Sequence, residues 1–214
     1  MQGWRKDESV QYGFFFDALK CTGCETCVDA CCQQCGTTRS TACRTVTRYE
    51  GGVWEEAADG TCSTTLFTYY LSLSCHHCSA PPCVDACPSH AKFKNVGTGV
   101  VTADPSKCVG CGACASACPY GAPKHDPVRR CTYVCDACAG ALGTHPEPAC
   151  VSACPEHALA FDDIDKLRAA HGSLAAVPPL PAPDLTQPNL VLNMAPAMMS
   201  SFMRKAPASS AAVR

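Results

Sequence analysis

The feature that most constrains this chain is an internal repeat of four cysteine groups, each ending in Cys-x-x-x-Cys. In chain order the groups read CTGCETCVDAC, CHHCSAPPCVDACP, CVGCGACASACP and CDACAGALGTHPEPACVSACP. Their cysteines are Cys21, Cys24, Cys27 and Cys31; Cys75, Cys78, Cys83 and Cys87; Cys108, Cys111, Cys114 and Cys118; and Cys135, Cys138, Cys150 and Cys154. Three of the four groups are closed by proline. Such self-similarity indicates one structural unit used several times.

The remaining composition explains why these cysteines must hold the fold together. Cysteine accounts for 21 of the 214 residues, whereas aromatic residues make up only 7%. A chain so poor in large apolar side chains needs disulfides or bound metal. Its start, MQGWRKDESVQYGFFF, lacks the apolar region and cleavage site of a signal peptide, so we expect no export signal. A secreted disulfide scaffold then loses support, and bound metal is favoured. A net charge of −2 and the lack of a long apolar run predict no nucleic-acid partner and no membrane span.

The spacing within the groups is typical of iron–sulfur proteins. A Cys-x2-Cys-x2-Cys loop binds one [4Fe–4S] cluster in two-cluster ferredoxins, while the next cysteine, before proline, binds the other cluster. Gly110 and Gly112 fit such a loop, because it requires unusual backbone angles and close approach of N–H groups to sulfur. The first group lacks the closing proline, and the fourth departs most, with eleven residues between Cys138 and Cys150.

Two other uses of cysteine fit this spacing less well. Structural zinc takes pairs of cysteines and has no use for a repeated third and fourth cysteine. Disulfides are disfavoured because cysteines three or four residues apart on one loop pair poorly. A zinc scaffold without redox activity is therefore the alternative to a cluster protein, and it would be colourless, with zinc and no iron.

The linkers between groups predict which cysteines share a cluster. Twenty residues separate Cys87 from Cys108, enough for a hairpin that returns the chain to the cluster layer. The second and third groups then form one two-cluster core, and the first and fourth groups form the other. The predicted ligand sets are Cys21, Cys24, Cys27 with Cys154 (set 1); Cys75, Cys78, Cys83 with Cys118 (set 2); Cys108, Cys111, Cys114 with Cys87 (set 3); and Cys135, Cys138, Cys150 with Cys31 (set 4).

Between the cysteines the chain predicts little regular structure. Short strands are expected at residues 12–18, 64–74 and 99–104. The segments CVDAC, CASAC and CVSAC are predicted to form single helical turns stopped by proline. Residues 162–172 predict a short helix with Ile164, Leu167 and Ala170 on one face. Proline-rich residues 178–188 are expected to extend over a surface.

We therefore predict an α+β fold with two pseudo-symmetric bacterial-ferredoxin-like halves and an extended C-terminal arm. The outer half comprises residues 10–35 with 131–162, the inner half comprises 64–125, and 36–63 is a connecting insertion. Residues 163–192 are expected to form a helix and an extended docking arm. The tail 193–214 has no folded pattern and is expected to be flexible or to become ordered on a partner.

Taken together, the chain resembles the iron–sulfur subunits of dimethyl sulfoxide reductase, in the molybdopterin oxidoreductase family. The resemblance is carried by QYGFFFDALKCTGCETC, YYLSLSCHHCSAPPCVDACPSHA, VGCGACASACPYGAP and CDACAGALGTHPEPACVSACPEHAL, and continues through IDKLRAAHGSLAAVPPLP and QPNLVL. It implies four [4Fe–4S] clusters in two ferredoxin-like halves. It also implies a molybdopterin-containing catalytic subunit and an integral membrane quinol-oxidising subunit as partners.

On this resemblance we expect a non-catalytic subunit that relays electrons from the quinol-oxidising subunit to the molybdopterin subunit. It would lie peripheral to the cytoplasmic membrane, on the outer face after co-export with a partner, or in the cytoplasm if it is not exported. A free-standing polyferredoxin between soluble oxidoreductases is the alternative. The extended arm argues against that alternative, because a mobile carrier does not need one.

Five cysteines lie outside the sixteen predicted ligands. Several histidines lie within or just after the ligand groups. Cys32, Cys35, Cys43, Cys62 and Cys131 are expected to be free thiols, or, for the first four, a small zinc site. No catalytic residue is predicted. His77 is expected to donate toward sulfur or to pack. His90 and His157, each three residues after a closing cysteine, are expected to be repeat-related packing residues that could also donate toward sulfur.

Overall fold

The computed structural model describes residues 10–126, 128–139, 147–196 and 204–205. The helices among them are α1 (Thr26–Cys35), α2 (Pro82–Asp85), α3 (Ala113–Ala117), α4 (Ala149–Ser152) and α5 (Ile164–His171). The strands are β1 (Tyr12–Asp17), β2 (Thr45–Gly51), β3 (Trp54–Glu56), β4 (Cys62–Thr64), β5 (Phe67–Leu73), β6 (Lys92–Lys94), β7 (Val101–Ala103), β8 (Lys124–Asp126), β9 (Cys131–Tyr133), β10 (Leu159–Asp163), β11 (Leu190–Asn193) and β12 (Arg204–Lys205). Short 3-10 turns occur at Arg39–Thr41 and Pro183–Leu185.

The strands form several small sheets, so the prediction of a mixed α+β chain with short strands is confirmed. Strand β1 is central in a three-stranded sheet, antiparallel to β10 and parallel to β11. Strand β2 pairs with β5 and with β12. The pairs β3–β4, β6–β7 and β8–β9 are antiparallel ribbons. The hairpin predicted between the second and third cysteine groups is the β6–β7 ribbon.

Strand β1 is buried on both faces, which explains its run of three phenylalanines. Side chains alternate across a strand, so Phe14 and Phe16 lie on one face and Phe15 on the other. Phe14 and Phe16 belong to the large core that also contains the buried cysteines. Phe15 packs with Ile164 and Leu167 of α5, in a smaller apolar cluster without cysteine. Strand β1 thus separates the cysteine-rich core from the helix that follows β10.

Short helices close the cysteine groups, and they pack in two pairs. Helix α1 of the first group packs against α4 of the fourth, and α2 of the second packs against α3 of the third. The prediction of a single turn is wrong for the first group, where α1 spans ten residues and ends at Cys35, capped by Gly36. Proline follows the other closing cysteines and stops each helix, whereas Cys32 follows Cys31 and lets α1 continue.

The C-terminal arm crosses the surface and returns to the core. Thr186 accepts a backbone hydrogen bond from Ala80, and the backbone N–H of Asn189 donates to the carbonyl of His76. Strand β11, which the sequence did not predict, then joins β1. The arm therefore packs on this chain's own second cysteine group. Docking of the arm on a partner stays a prediction.

Most of the predicted flexible tail lies outside the described residues. Within the tail, Asn193 is the last residue of β11, residues 194–196 follow it, and the backbone of β12 pairs with β2. No helix in the described part of the chain is long and apolar enough to cross a membrane.

Candidate metal centres

Three cavities are each lined by four cysteines, three from one group and one from another. The four in each cavity are Cys21, Cys24, Cys27 and Cys154; Cys75, Cys78, Cys83 and Cys118; and Cys87, Cys108, Cys111 and Cys114. Their empty volumes are nearly equal, at ≈ 330 Å³, ≈ 340 Å³ and ≈ 340 Å³. The chain thus brings together the residues of sets 1, 2 and 3.

The members of set 4 also lie near one another. Cys31 lies on α1 and Cys150 on α4, the two helices that pack together. Burial raises the pKa of Cys138 to about 11, and the neighbouring Cys150 adds to the shift. Burial likewise raises the pKa of Cys135, again with a contribution from Cys150. The gap between Cys138 and Cys150 includes residues 140–146, which lie outside the described residues.

The same backbone conformation recurs before the second cysteine of every group. The residue at this position has a positive φ in each case: Gly23 at 74°, His77 at 47°, Gly110 at 67° and Ala137 at 57°. This left-handed conformation turns the N–H back toward the preceding cysteine. The N–H of His77 donates to Cys75 Sγ at 3.5 Å, and that of Ala137 donates to Cys135 Sγ at 3.4 Å. Hydrogen bonds to sulfur stabilise the thiolates that a cluster requires.

Gly110 also meets a steric demand of its own. A Cβ at Gly110 would collide with the backbone carbonyl of Arg130. The next glycine, Gly112, has a φ of 74°. Both observations agree with the expectation that this loop needs glycine for backbone angles and close approach.

A second repeated turn follows the closing cysteines. His90, Gly121 and His157 each lie three residues after such a cysteine, with φ values of 50°, 60° and 48°. Each donates its N–H to the carbonyl of that cysteine at 3.1 Å. His90 and His157 are exposed, so the prediction that they pack is wrong. What the two histidines share is the backbone conformation of the turn, which explains why glycine occupies the same position in the third group.

His76 and His77 are buried in the second group. Burial lowers the pKa of each to about 3, so both imidazoles are neutral near pH 7. His77 Nδ1 accepts a hydrogen bond from the N–H of Val101 at 3.1 Å. His76 lines the cavity of set 2 and packs on Tyr120, with ring centroids 4.2 Å apart. His77 therefore fits the packing role that the sequence predicted.

The buried thiols are costly to ionise without a positive partner. Burial raises the pKa of Cys75 to about 12 and that of Cys83 to about 11. All 21 cysteines lie in the described part of the chain, and none of them forms a disulfide. Iron in a cluster binds thiolates, so it would supply the positive charge that these positions lack.

An unpaired polar atom tests whether the cavities fit such a group. Lys92 is 4% exposed and lines the cavity of set 3, yet its Nζ has no hydrogen-bond partner among the described residues. A buried ammonium without acceptors costs several kcal/mol unless a negative charge lies close by. Thiolates and cluster sulfides provide such charge. The donor set and the unpaired cation both fit an iron–sulfur cluster.

Sequence reasoning missed two polar residues beside the predicted ligands: Ser72, which contacts one of them, and Arg44, which contacts Ser72. Arg44 is 1% exposed and donates to Ser72 Oγ at 3.2 Å. Ser72 in turn shares a hydrogen bond of 3.3 Å with Cys27 Sγ. In the sequence, Arg44 lies in a polar insertion, and nothing in that segment distinguishes Arg44 from a surface arginine.

The extra cysteines do not form the zinc site that was one of their two interpretations. Cys35 and Cys43 line a surface cavity together with Cys131, whereas Cys62 lies exposed on β4 and does not line it. Among the described residues, no three Cys, His, Asp or Glu side chains converge with the spacing of a single metal ion. A cube-shaped cluster does not require that spacing, because each thiolate binds a different iron.

Comparisons with known proteins agree with this chemistry. Residues 66–164 match the family described as 4Fe-4S dicluster domain. The class of protein is therefore an iron–sulfur protein with a dicluster ferredoxin domain. The B chain of the anaerobic dimethyl sulfoxide reductase of Escherichia coli (strain K12) is 44% identical over 184 residues, which are 86% of this chain and 89% of that protein.

Two further relatives extend the comparison. The protein of the same name from Haemophilus influenzae is 43% identical over 182 residues, 85% of this chain and 88% of that protein. Protein NrfC of Escherichia coli (strain K12) is 36% identical over 157 residues, 73% of this chain and 67% of that protein. The chain belongs to the family of anaerobic dimethyl sulfoxide reductase B chains, as iron–sulfur electron-transfer subunits, which confirms the resemblance predicted from sequence.

Proposed function

We propose that this chain carries four [4Fe–4S] clusters and relays electrons from a quinol-oxidising membrane subunit to a molybdopterin-containing catalytic subunit. The observation that carries the proposal is the lining of three cavities by four cysteines each, always three from one group and one from another. Two-cluster ferredoxins use this exchange of the fourth cysteine. When bound, such a cluster supplies one-electron redox chemistry.

The sixteen cysteines would act as ligands in the four predicted sets. The pairing of α1 with α4 and of α2 with α3 supports two ferredoxin-like halves, because each pair carries closing cysteines of two groups. Backbone N–H groups such as that of His77 would hold the negative charge of each site. The arm at Thr186 and Asn189 would keep water from set 2, because both residues are buried against the second group.

The partners and the location are proposed by analogy with the family. The relatives are named as chains of dimethyl sulfoxide reductase, which implies an enzyme built from more than one chain. By analogy this chain would attach to the cytoplasmic membrane through its partners, on the outer face if a partner exports it.

Iron and sulfide analysis of the anaerobically isolated chain tests the proposed cofactors. We expect about sixteen iron and sixteen sulfide per chain, and four one-electron transitions in a redox titration followed by electron paramagnetic resonance. Zinc without iron, in a colourless protein, would overturn the proposal.

Purification from the native host tests the proposed partners separately. A respiratory subunit should elute with a molybdenum-containing protein and require detergent for release from membranes. Elution alone, with a full complement of iron, would instead identify a polyferredoxin carrier.

A further inference from the structure

Two basic side chains are buried in the cysteine-rich part of the molecule. Arg44 is 1% exposed and Lys92 is 4% exposed. Basic residues are almost never fully buried unless they meet a compensating charge. Their burial therefore requires a negative charge that the described side chains do not supply as carboxylates.

A comparison between two lysines of one strand identifies where that charge lies for Lys92. Lys94, also on β6, donates through Nζ to four oxygens, including those of Cys78 at 2.9 Å and Gly99 at 2.7 Å. Lys92 Nζ meets none among the described residues. Lys94 is thus a structural cation satisfied by oxygen, whereas the other ionisable side chains that line the site of Lys92, among the residues that the structure describes, are all thiols.

Lys92 lies between two ligand sets of the inner half. It lines the cavity formed by the four cysteines of set 3. Strand β6, which carries Lys92, also packs against α2, which carries Cys83 of set 2. One ammonium group therefore lines one predicted cluster site of this half and lies on a strand packed beside the other.

Arg44 lies beside the ligands of the outer half. Its Nη1 and Nη2 donate to oxygens of Ser72 and Ser74, but its buried Nε, like Lys92 Nζ, has no hydrogen-bond partner among the described residues. Its Nη1 hydrogen-bonds Ser72 Oγ, which bonds Cys27 of set 1. The guanidinium lies 4.7 Å from the centroid of the Phe14 ring. Phe14 belongs to the same buried cluster as Cys135 and Cys150, both of set 4, so Arg44 lies close to the ligands of both sets of this half.

We propose that Arg44 and Lys92 are paired electrostatic elements, one in each half, that raise the reduction potentials of the two clusters beside each. The inference rests on the proposed function, since it needs clusters in the four sets. A reduced cluster carries one more negative charge than an oxidised one. A buried cation stabilises that form, and the low dielectric around it screens the attraction little.

Charge-removing variants of the full chain test the proposal. In Arg44→Gln we expect lower midpoint potentials for two of the four transitions, and in Lys92→Gln for the other two, with iron content unchanged. Lys107→Gln is the matched control, because Lys107 adjoins the predicted ligand Cys108 but its side chain is 63% exposed. Its potentials should remain close to those of the unmodified chain.

Charge-conserving variants separate electrostatics from folding. Arg44→Lys and Lys92→Arg should keep potentials near the original values. Unchanged potentials in both glutamine variants, or shifts no larger than in Lys107→Gln, would overturn the proposal. Loss of iron from both glutamine variants would also overturn the proposal, because the two cations would then serve cluster assembly. If only one variant loses iron, the midpoint potentials of the other variant decide whether the proposal holds. A wild-type chain without iron would reject the proposed function instead.

Discussion

Asn189 Nδ2 donates a hydrogen bond of 2.8 Å to the carbonyl oxygen of His77, although the two residues are 112 positions apart in the chain. The same amide lies 3.2 Å from Ser79 Oγ, and the backbone N–H of Asn189 bonds the carbonyl of His76. The C-terminal arm thereby closes over the loop that begins at Cys75. This contact makes the arm part of the proposed site of set 2.

Replacing Asn189 by alanine should loosen that loop. Asn189 is 1% exposed, and its removal takes one of three donors from the carbonyl of His77, which Lys94 Nζ and Gln11 Nε2 also reach, so the loss is that of one buried hydrogen bond, about 0.5–1.5 kcal/mol. We expect lower stability toward denaturant and faster bleaching of one cluster in air. Asp184→Ala, at an exposed position of the same arm, is the control and should change neither. Equal bleaching rates in both variants would argue against this role.

Two glycines with similar φ values allow the cost of backbone strain to be measured apart from the cost of a steric collision. Gly110 and Gly121 have φ values of 67° and 60°, but a Cβ would collide with Arg130 only at Gly110. Gly121→Ala should cost about 1–2 kcal/mol for the left-handed conformation alone. Gly110→Ala should cost more and lower the iron content. The measurements are iron per chain and denaturant unfolding under nitrogen; equal effects would contradict the steric explanation.

Cys31 and Cys35 lie one helical turn apart on α1, and only Cys31 is a proposed ligand. Cys31→Ser should lose about four iron per chain, while Cys35→Ser should keep the full complement. The contrast is informative because Cys35 lines a cavity with Cys138 of the same set, and hydrogen bonds from Cys31 and Cys43 lower its pKa. Loss of iron from Cys35→Ser alone would reassign the ligand. Cys62→Ser, on exposed β4, is the control.

Removal of iron should unfold most of the chain. The largest core includes seven of the sixteen predicted ligands, Cys27, Cys31, Cys75, Cys83, Cys114, Cys135 and Cys150, so its integrity depends on what holds them. The apolar cluster of Phe15, Ile164, Leu167 and Val191 contains no cysteine and should keep the most protection. Hydrogen exchange before and after chelation measures both. Native protection throughout an iron-free chain would contradict this view.

Local patterns predicted the elements with a strong local signal. The aromatic run YGFFFDA predicted β1, because aromatic residues favour strands, and the spacing of the apolar residues after Asp162 predicted α5, because it matches the helical repeat. Strand β11 escaped prediction because four residues after a proline-rich segment carry too little periodicity. It becomes a strand only because β1 offers it a parallel edge.

Strand β6 reverses the usual placement of apolar side chains inward and charged side chains outward, and the proposed metal site is the reason. Lys92, Phe93 and Lys94 would normally place the phenylalanine inward and both lysines in water. The structure does the reverse, with Phe93 42% exposed and Lys92 buried. A cavity lined by thiols is a better environment for an ammonium than for a benzene ring once those thiols carry charge.

The sequence by itself determined the family, the iron–sulfur chemistry and the grouping of the cysteines, because ligand spacing is a local property written in consecutive residues. The linkers also predicted the cysteine sets that three cavities bring together. Only the tertiary structure decided where the arm closes and which cations lie inside. Those features depend on contacts across many residues, where burial and charge compensation select one arrangement that no short segment encodes.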